Sequence, residues 1–142
     1  MTHEAPPIVQ LAERVLVEIE EAVRVFPRYH KYAVGAELRE QARHVARAAH
    51  RAWRDHKRRG EWISRLVFAI DDLKLSLQIA KRVQAFKSFA QFEALARLTS
   101  NLGRQCGGWQ KQHQKGQNQQ AALPDGRAQI LSARDASQGA NA

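Results

Sequence analysis

Six arginines carry the clearest chemical pattern in this chain. Arg39, Arg43, Arg47 and Arg51 follow one another at i, i+4, and Arg54 and Arg58 continue one step round. Residues four apart on a helix lie one above another, so the spacing predicts a slowly turning row of guanidinium groups. Each guanidinium is a planar, permanently charged set of donors that matches phosphate oxygens. A rigid helix carrying such a row contacts phosphates without reading bases, and its affinity is largely electrostatic and salt-dependent. The plainer alternative is a solvated face with counterions, which is what charge runs commonly are.

The distribution of charge favours a partner. The chain has 142 residues and a net charge of +9, of which residues 26–59 hold +7, with ten Lys or Arg against Glu37, Glu40 and Asp55. Residues 1–25 carry −3, through acids that include Glu13, Glu18, Glu20 and Glu21, and offset less than half of it. The classes of partner that suit this surplus are nucleic acid, an anionic membrane surface and an acidic protein. The charge lies on a folded helix and not on a flexible tail, which keeps nucleic acid, RNA or DNA, among these candidates.

Other residue types that do chemistry are present without assembling a site. Of the six histidines, His3, His30, His44, His50, His56 and His113, His44 alone has a partner of metal-site type at helical spacing, Glu40, and the pair reads as a surface contact. Asp71 and Asp72 are adjacent on a helix and point in different directions, which suits cross-helix partners for Arg better than paired acid–base catalysis. Cys106 falls on an apolar stripe and reads as a small core residue. Trp53, Trp62 and Trp109 read as core or interface anchors before nucleobase platforms, and Gly103 and Gly107 as points of close helix approach. No catalytic, metal or cofactor site is expected.

The elements that position the arginines are helices. Ile8, Ala12, Val15, Ile19, Ala22 and Phe26 step by four and three after Pro7, with Leu11, Leu16 and Val23 widening the stripe. Phe26-Pro27 forces one helix to stop and another to start. The second helix, with Val34, Leu38, Ala42, Val45, Ala49 and Ala52 on its buried face, is expected to run to Lys57-Arg58-Arg59, with Gly60 as a left-handed stop. Ile63, Leu66, Ile70, Leu73, Leu77 and Ala80 mark a third helix. Ser88 with Gln91 forms a capping box for a fourth, carrying Phe92, Leu95, Thr99, Leu102, Cys106 and Trp109.

Four stripes of similar period with short connections predict an all-α fold: an antiparallel up-down-up-down four-helix bundle over residues 1–113. Residues 114–142, rich in Gln, Asn, Ala, Gly and Ser with a Pro124-Asp125-Gly126 turn, are expected to form a flexible, disordered C-terminal tail. No apolar run approaches a membrane span, the N-terminus lacks the regions of a signal peptide, and one cysteine forms no internal disulfide. A cytoplasmic protein is expected.

Three segments carry a family resemblance. These are Phe26-Pro27-Arg28-Tyr29-His30-Lys31-Tyr32-Ala33-Val34-Gly35, Ile70-Asp71-Asp72-Leu73-Lys74, and Leu102-Gly103-Arg104-Gln105-Cys106-Gly107-Gly108-Trp109. In this order, over about residues 8–112, the chain resembles the accessory variability determinant (Avd) proteins of diversity-generating retroelements. Related bundles are encoded in ribosomal RNA intervening sequences, and this chain lacks the Asn-Ile-Ala-Glu-Gly run associated with them. The resemblance implies a bundle protomer assembling into a basic homopentamer. It also implies a non-catalytic accessory role, in which the protein binds a reverse transcriptase and its template RNA and supports mutagenic cDNA synthesis. No individual contact residue follows from it; the basic character of the second helix does. The alternative is an oligomeric helical scaffold that docks an acidic protein without touching nucleic acid.

Overall fold

A computed structural model describes residues 4–122. Among them the order of elements is α1 (Pro7–Arg24), a single turn α2 (Arg28–Lys31), α3 (Val34–Arg54), α4 (Arg59–Arg82) and α5 (Phe89–Ala122), with no strand. The four long helices form the expected bundle. α3 packs on both α1 and α4, and the short links force sequential helices to run antiparallel.

The core is the set of stripes seen in the sequence. Ile8, Ala12, Val15, Ile19 and Ala22 of α1 are buried with Leu38, Ala42, Val45, Ala49 and Ala52 of α3. Ile63, Leu66, Ile70, Leu73, Leu77 and Ala80 of α4 and Phe92, Leu95, Leu102 and Cys106 of α5 complete one cluster. α3 contributes mostly alanine, so it is the thin central member against which its neighbours close. Thr99 keeps its hydroxyl inside by donating to the carbonyls of Leu95 (3.1 Å) and Ala96 (3.1 Å) of its own helix.

The second helix differs from the sequence reading at both ends. Pro27 starts only one turn, and the chain breaks again at Tyr32 and Ala33 before α3 begins. The cause is packing. A Cβ on Gly35 would sit 2.7 Å from Val23 Cγ1, 3.1 Å from the His30 carbonyl oxygen and 3.3 Å from Phe26 Cδ2. The first turn of α3 therefore lies directly against the end of α1, and the single turn of α2 redirects the chain to bring it there. Phe26 is buried and meets Phe86 edge-on at 5.2 Å, closing that end of the bundle.

At the other end α3 stops at Arg54, short of Arg59, and Gly60 is the second residue of α4 and no helix stop. Asp55 makes the turn: its Oδ1 accepts from the Arg58 backbone N–H at 3.2 Å and its Oδ2 from Trp62 Nε1 at 3.2 Å. A short polar side chain that satisfies backbone donors two or three residues on favours a turn over further helix. The cation that answers the α3 dipole arrives from the next helix. Arg59 donates through Nε to the Ala52 carbonyl (2.7 Å) and through Nη2 to the Trp53 carbonyl (2.9 Å).

The link from α4 to α5 is a Schellman turn. Ala85 N–H donates to the Ala80 carbonyl (2.9 Å), Gln84 N–H donates to that of Lys81 (3.0 Å), and Gln84 takes the left-handed conformation with φ of 60°. Ser88 then caps α5 as the sequence indicated, its Oγ accepting from the Gln91 N–H at 3.2 Å. The reciprocal bond goes one residue further out, from the Lys87 N–H to Gln91 Oε1 at 3.2 Å. The bundle proper runs to Gln110. α5 continues beyond the expected boundary at Gln114 to Ala122, with the side chains of residues 114–120 exposed, because Gln, Lys and Ala are good helix formers even with nothing to bury. The rest of the expected tail, residues 123–142, lies outside the described residues.

Candidate nucleic-acid interface

α3 presents all four arginines of the i, i+4 row, and the structure divides the row in two. Arg39 and Arg43 face α1 and converge on one acid. Arg39 Nε lies 3.0 Å from Glu20 Oε1, and Arg43 Nη2 donates to Glu20 Oε2 at 3.2 Å. The Arg39 Nε–H does not point at its carboxylate oxygen and has no hydrogen-bond acceptor, so that contact is Coulombic only. Glu18 and Glu21, also candidates for this pairing, are taken by Arg14 and Arg24 of their own helix.

Arg47 and Arg51, one and two turns further on, are exposed and form no ion pair among the described residues. Two turns of helix account for the change: α1 offers Glu20 at one level and, at the next, only Glu13 beside the shallow groove that Arg43, Arg47 and Arg51 line. Arg54 and Arg58 are likewise exposed and without an ion pair among the described residues.

These free cations gather where α3 hands over to α4, around two half-buried indoles. Arg51 Cζ lies 5.3 Å and Arg65 Cζ 4.6 Å from the Trp62 ring centre, and Arg54 Cζ lies 5.0 Å from that of Trp53. His50 meets Trp53 edge-on at 5.4 Å. Cations over indole faces are held by the ring quadrupole, which orders long side chains that would otherwise be free. Trp62 is itself fixed by its hydrogen bond to Asp55. That bond, more than the nearby Arg58 N–H and the Arg58 and Arg51 charges, holds the Asp55 carboxyl below its usual range against the opposing effect of burial. Asp55 is thus an anion tied into the turn, while the cations around it face outward.

Sequence reasoning missed Arg65 and the ordering role of the two tryptophans. The signal was available: Arg65 is three residues after Trp62, the spacing at which side chains on a helix meet. Of the remaining candidates, His44 Nε2 lies 3.2 Å from Glu40 Oε2 on an exposed face, the surface contact its spacing suggested. Asp71 and Asp72 are exposed and form no ion pair among the described residues, which corrects the expected cross-helix pairing with arginine. Both flank the buried Leu73 and Ile70, and Asp72 lines a groove that also holds Arg47 without forming an ion pair with it. Gly103 does face α4, where an added Cβ would be 3.0 Å from Lys74 Nζ, whereas Gly107 faces open space. Cys106 is buried, and burial, with the Asp71 charge as the lesser cause, pushes its thiol up to about 11. It is no nucleophile at neutral pH.

None of the described helices is long and apolar enough to cross a membrane. Comparison with protein-family models, with curated proteins and with solved structures yields no match for this chain.

Proposed function

We propose that this protein is a non-catalytic, RNA-binding accessory subunit of the Avd kind, acting in the cytoplasm with the reverse transcriptase of a diversity-generating retroelement. The observation that carries the RNA-binding part is the group Arg47, Arg51, Arg54 and Arg58. They are exposed and without ion pairs among the described residues, the first three at the end of α3 and Arg58 just beyond it, whereas the other two arginines of α3 share the carboxylate of Glu20. Arg51 and Arg54 are held over indoles, which lowers the entropic cost of presenting their guanidinium groups to phosphate. The reverse transcriptase enters through the resemblance of the three sequence segments.

A homopentamer fits the exposed apolar side chains. Leu75, Ile79 and Val83 stand on the outside of α4, and Val17, Val25, Tyr29 and Tyr32 on α1 and the turn after it. Two different apolar faces on one protomer suit a heterologous contact, the kind that closes into a ring.

The test is co-expression with the reverse transcriptase, followed by purification before and after nuclease treatment. Recovery of a complex that contains both enzyme and RNA, together with loss of template-directed mutagenesis on deletion of the protein, is the expected result. Binding to an acidic partner that survives nuclease unchanged, with mutagenesis unaffected, would replace this function with that of a protein-docking scaffold.

A further inference from the structure

A groove between α3 and α4 lies beside the arginine cluster and is not explained by phosphate contact. It encloses about 330 Å³, within the range of small-ligand sites, which begins at roughly 300 Å³. Its floor is Ala48 and Ala69, which have no side chain beyond Cβ to fill it. One end holds Arg47, Arg65 and the edge of Trp62; the other holds Gln41 and Asp72, with Phe68 on the wall. Phe68 is 69% exposed although it stands in the middle of α4.

We infer that this groove receives one unpaired RNA nucleotide, its phosphate at the Arg47 and Arg65 end and its base against Phe68. The inference rests on the RNA-binding reading above. The antiparallel course of α3 and α4 separates the two chemistries along the groove, with cations where Arg47 meets Arg65 and a free carboxylate where Gln41 meets Asp72. A phosphate is repelled from the Asp72 end and attracted to the other, so the polarity of the nucleotide is set. Base N–H groups are donors that suit the Asp72 carboxylate and the Gln41 amide oxygen. The Phe68 ring offers a stacking face, and Arg65, held over Trp62 with its Cζ 4.6 Å from the ring centre, brings a guanidinium, a group on which bases also stack. A base paired within a duplex shows only its edge and cannot enter, so the groove selects single strands.

Fluorescence anisotropy on the full chain decides this. The probes are an RNA of about ten nucleotides without self-complementarity, a length within the usual single-strand site sizes, and the duplex formed with its complement. Wild type should bind the single strand more tightly than the duplex. Phe68→Ala, an exposed position at which folding is insensitive, should weaken the single strand at least about five-fold, the low end of one lost base stack, and leave the duplex unchanged. Equal binding of both RNAs, with Phe68→Ala affecting neither, overturns the groove while leaving the RNA-binding reading intact. Failure of wild type to bind either RNA overturns both. A change in the light-scattering mass of Phe68→Ala assigns the groove to a second copy of the chain. Loss of reverse transcriptase binding with RNA affinity intact assigns it to that protein. Either of the last two outcomes overturns the nucleotide site.

Discussion

Two double variants on one helix separate binding from structure. Arg47→Gln with Arg51→Gln removes two outward cations, whereas Arg39→Gln with Arg43→Gln removes two that already share Glu20. If each outward guanidinium neutralises one phosphate of single-stranded RNA, it contributes about 0.7 to the slope of log K against log salt concentration. Losing two flattens the slope by about 1.4, which corresponds to about 25-fold weaker binding at 0.1 M salt and about 5-fold at 0.3 M. The Arg39 and Arg43 variant should weaken binding by no more than about fivefold at 0.1 M salt, because the single carboxylate of Glu20 already compensates one of the two charges it removes. Its effect should fall on stability instead. These ion pairs are 37–40% exposed at the side chains, so solvent screening limits their joint contribution to about 1 kcal/mol, a Tm lowered by about 4 °C.

Salt titration by fluorescence anisotropy and thermal melting by circular dichroism read the two effects independently. Unchanged affinity of the Arg47 and Arg51 variant at low salt would refute the binding face. Equal losses of affinity in both variants would show that Glu20 does not take Arg39 and Arg43 out of the interface, and would return the whole row to a single role.

Two further outcomes concern the frame that holds the row. Gly35→Ala should destabilise the bundle by about 1–3 kcal/mol in urea unfolding, because the added methyl meets Val23 and the His30 carbonyl at 2.7 and 3.1 Å, outweighing the ~1 kcal/mol helix-propensity advantage of alanine; a neutral result would mean that the α2 turn yields freely. Cys106 should resist alkylation in the native protein until pH approaches its raised value of about 11. Because the unfolded chain ionises this thiol near 9.0 and the folded chain only near 11, the thiol's contribution to stability is intact below pH 9 and is lost as pH rises through that window. A Cys106→Ala variant with the same alkaline limb in its pH-stability curve would remove the thiol as the cause.

The stripes were legible because burial repeats with the helix: every apolar position assigned to the third helix is buried in α4. The breaks were legible only where local chemistry makes them. Phe26-Pro27 announces one stop, but the second at Tyr32 and Ala33 has no proline or glycine of its own and follows from how closely Gly35 must approach Val23. Gly60 after three basic residues has the composition of a helix end, yet the stop comes earlier, at Asp55, whose side chain satisfies two donors of the following segment. The partition of the arginine row was hidden for a different reason. Which acid of α1 meets which arginine of α3 depends on the register between two helices, and neither helix's own period contains it.

The junction that replaced the expected Gly60 stop also suits the anion-binding role proposed for the free cations there. A helix C-terminus exposes carbonyl oxygens and a negative dipole end, which would repel phosphate from the last turn of α3. Arg59 removes that repulsion by donating to the Ala52 and Trp53 carbonyls, and it does so as the first residue of α4. The same connection places the N-terminal, positive end of α4 at this corner of the bundle. Had α3 run on to Arg59, its terminal carbonyls would have been left uncapped beside the arginine cluster and Arg59 would have been one more surface charge. By ending at Asp55, the chain uses one arginine to silence the unfavourable dipole and leaves Arg47, Arg51, Arg54 and Arg58 to act against a background that favours anions. Arg59 is therefore structural at this junction, and if the proposed face binds RNA, Arg59→Gln should weaken that binding in a fluorescence-anisotropy titration through the carbonyls it uncovers.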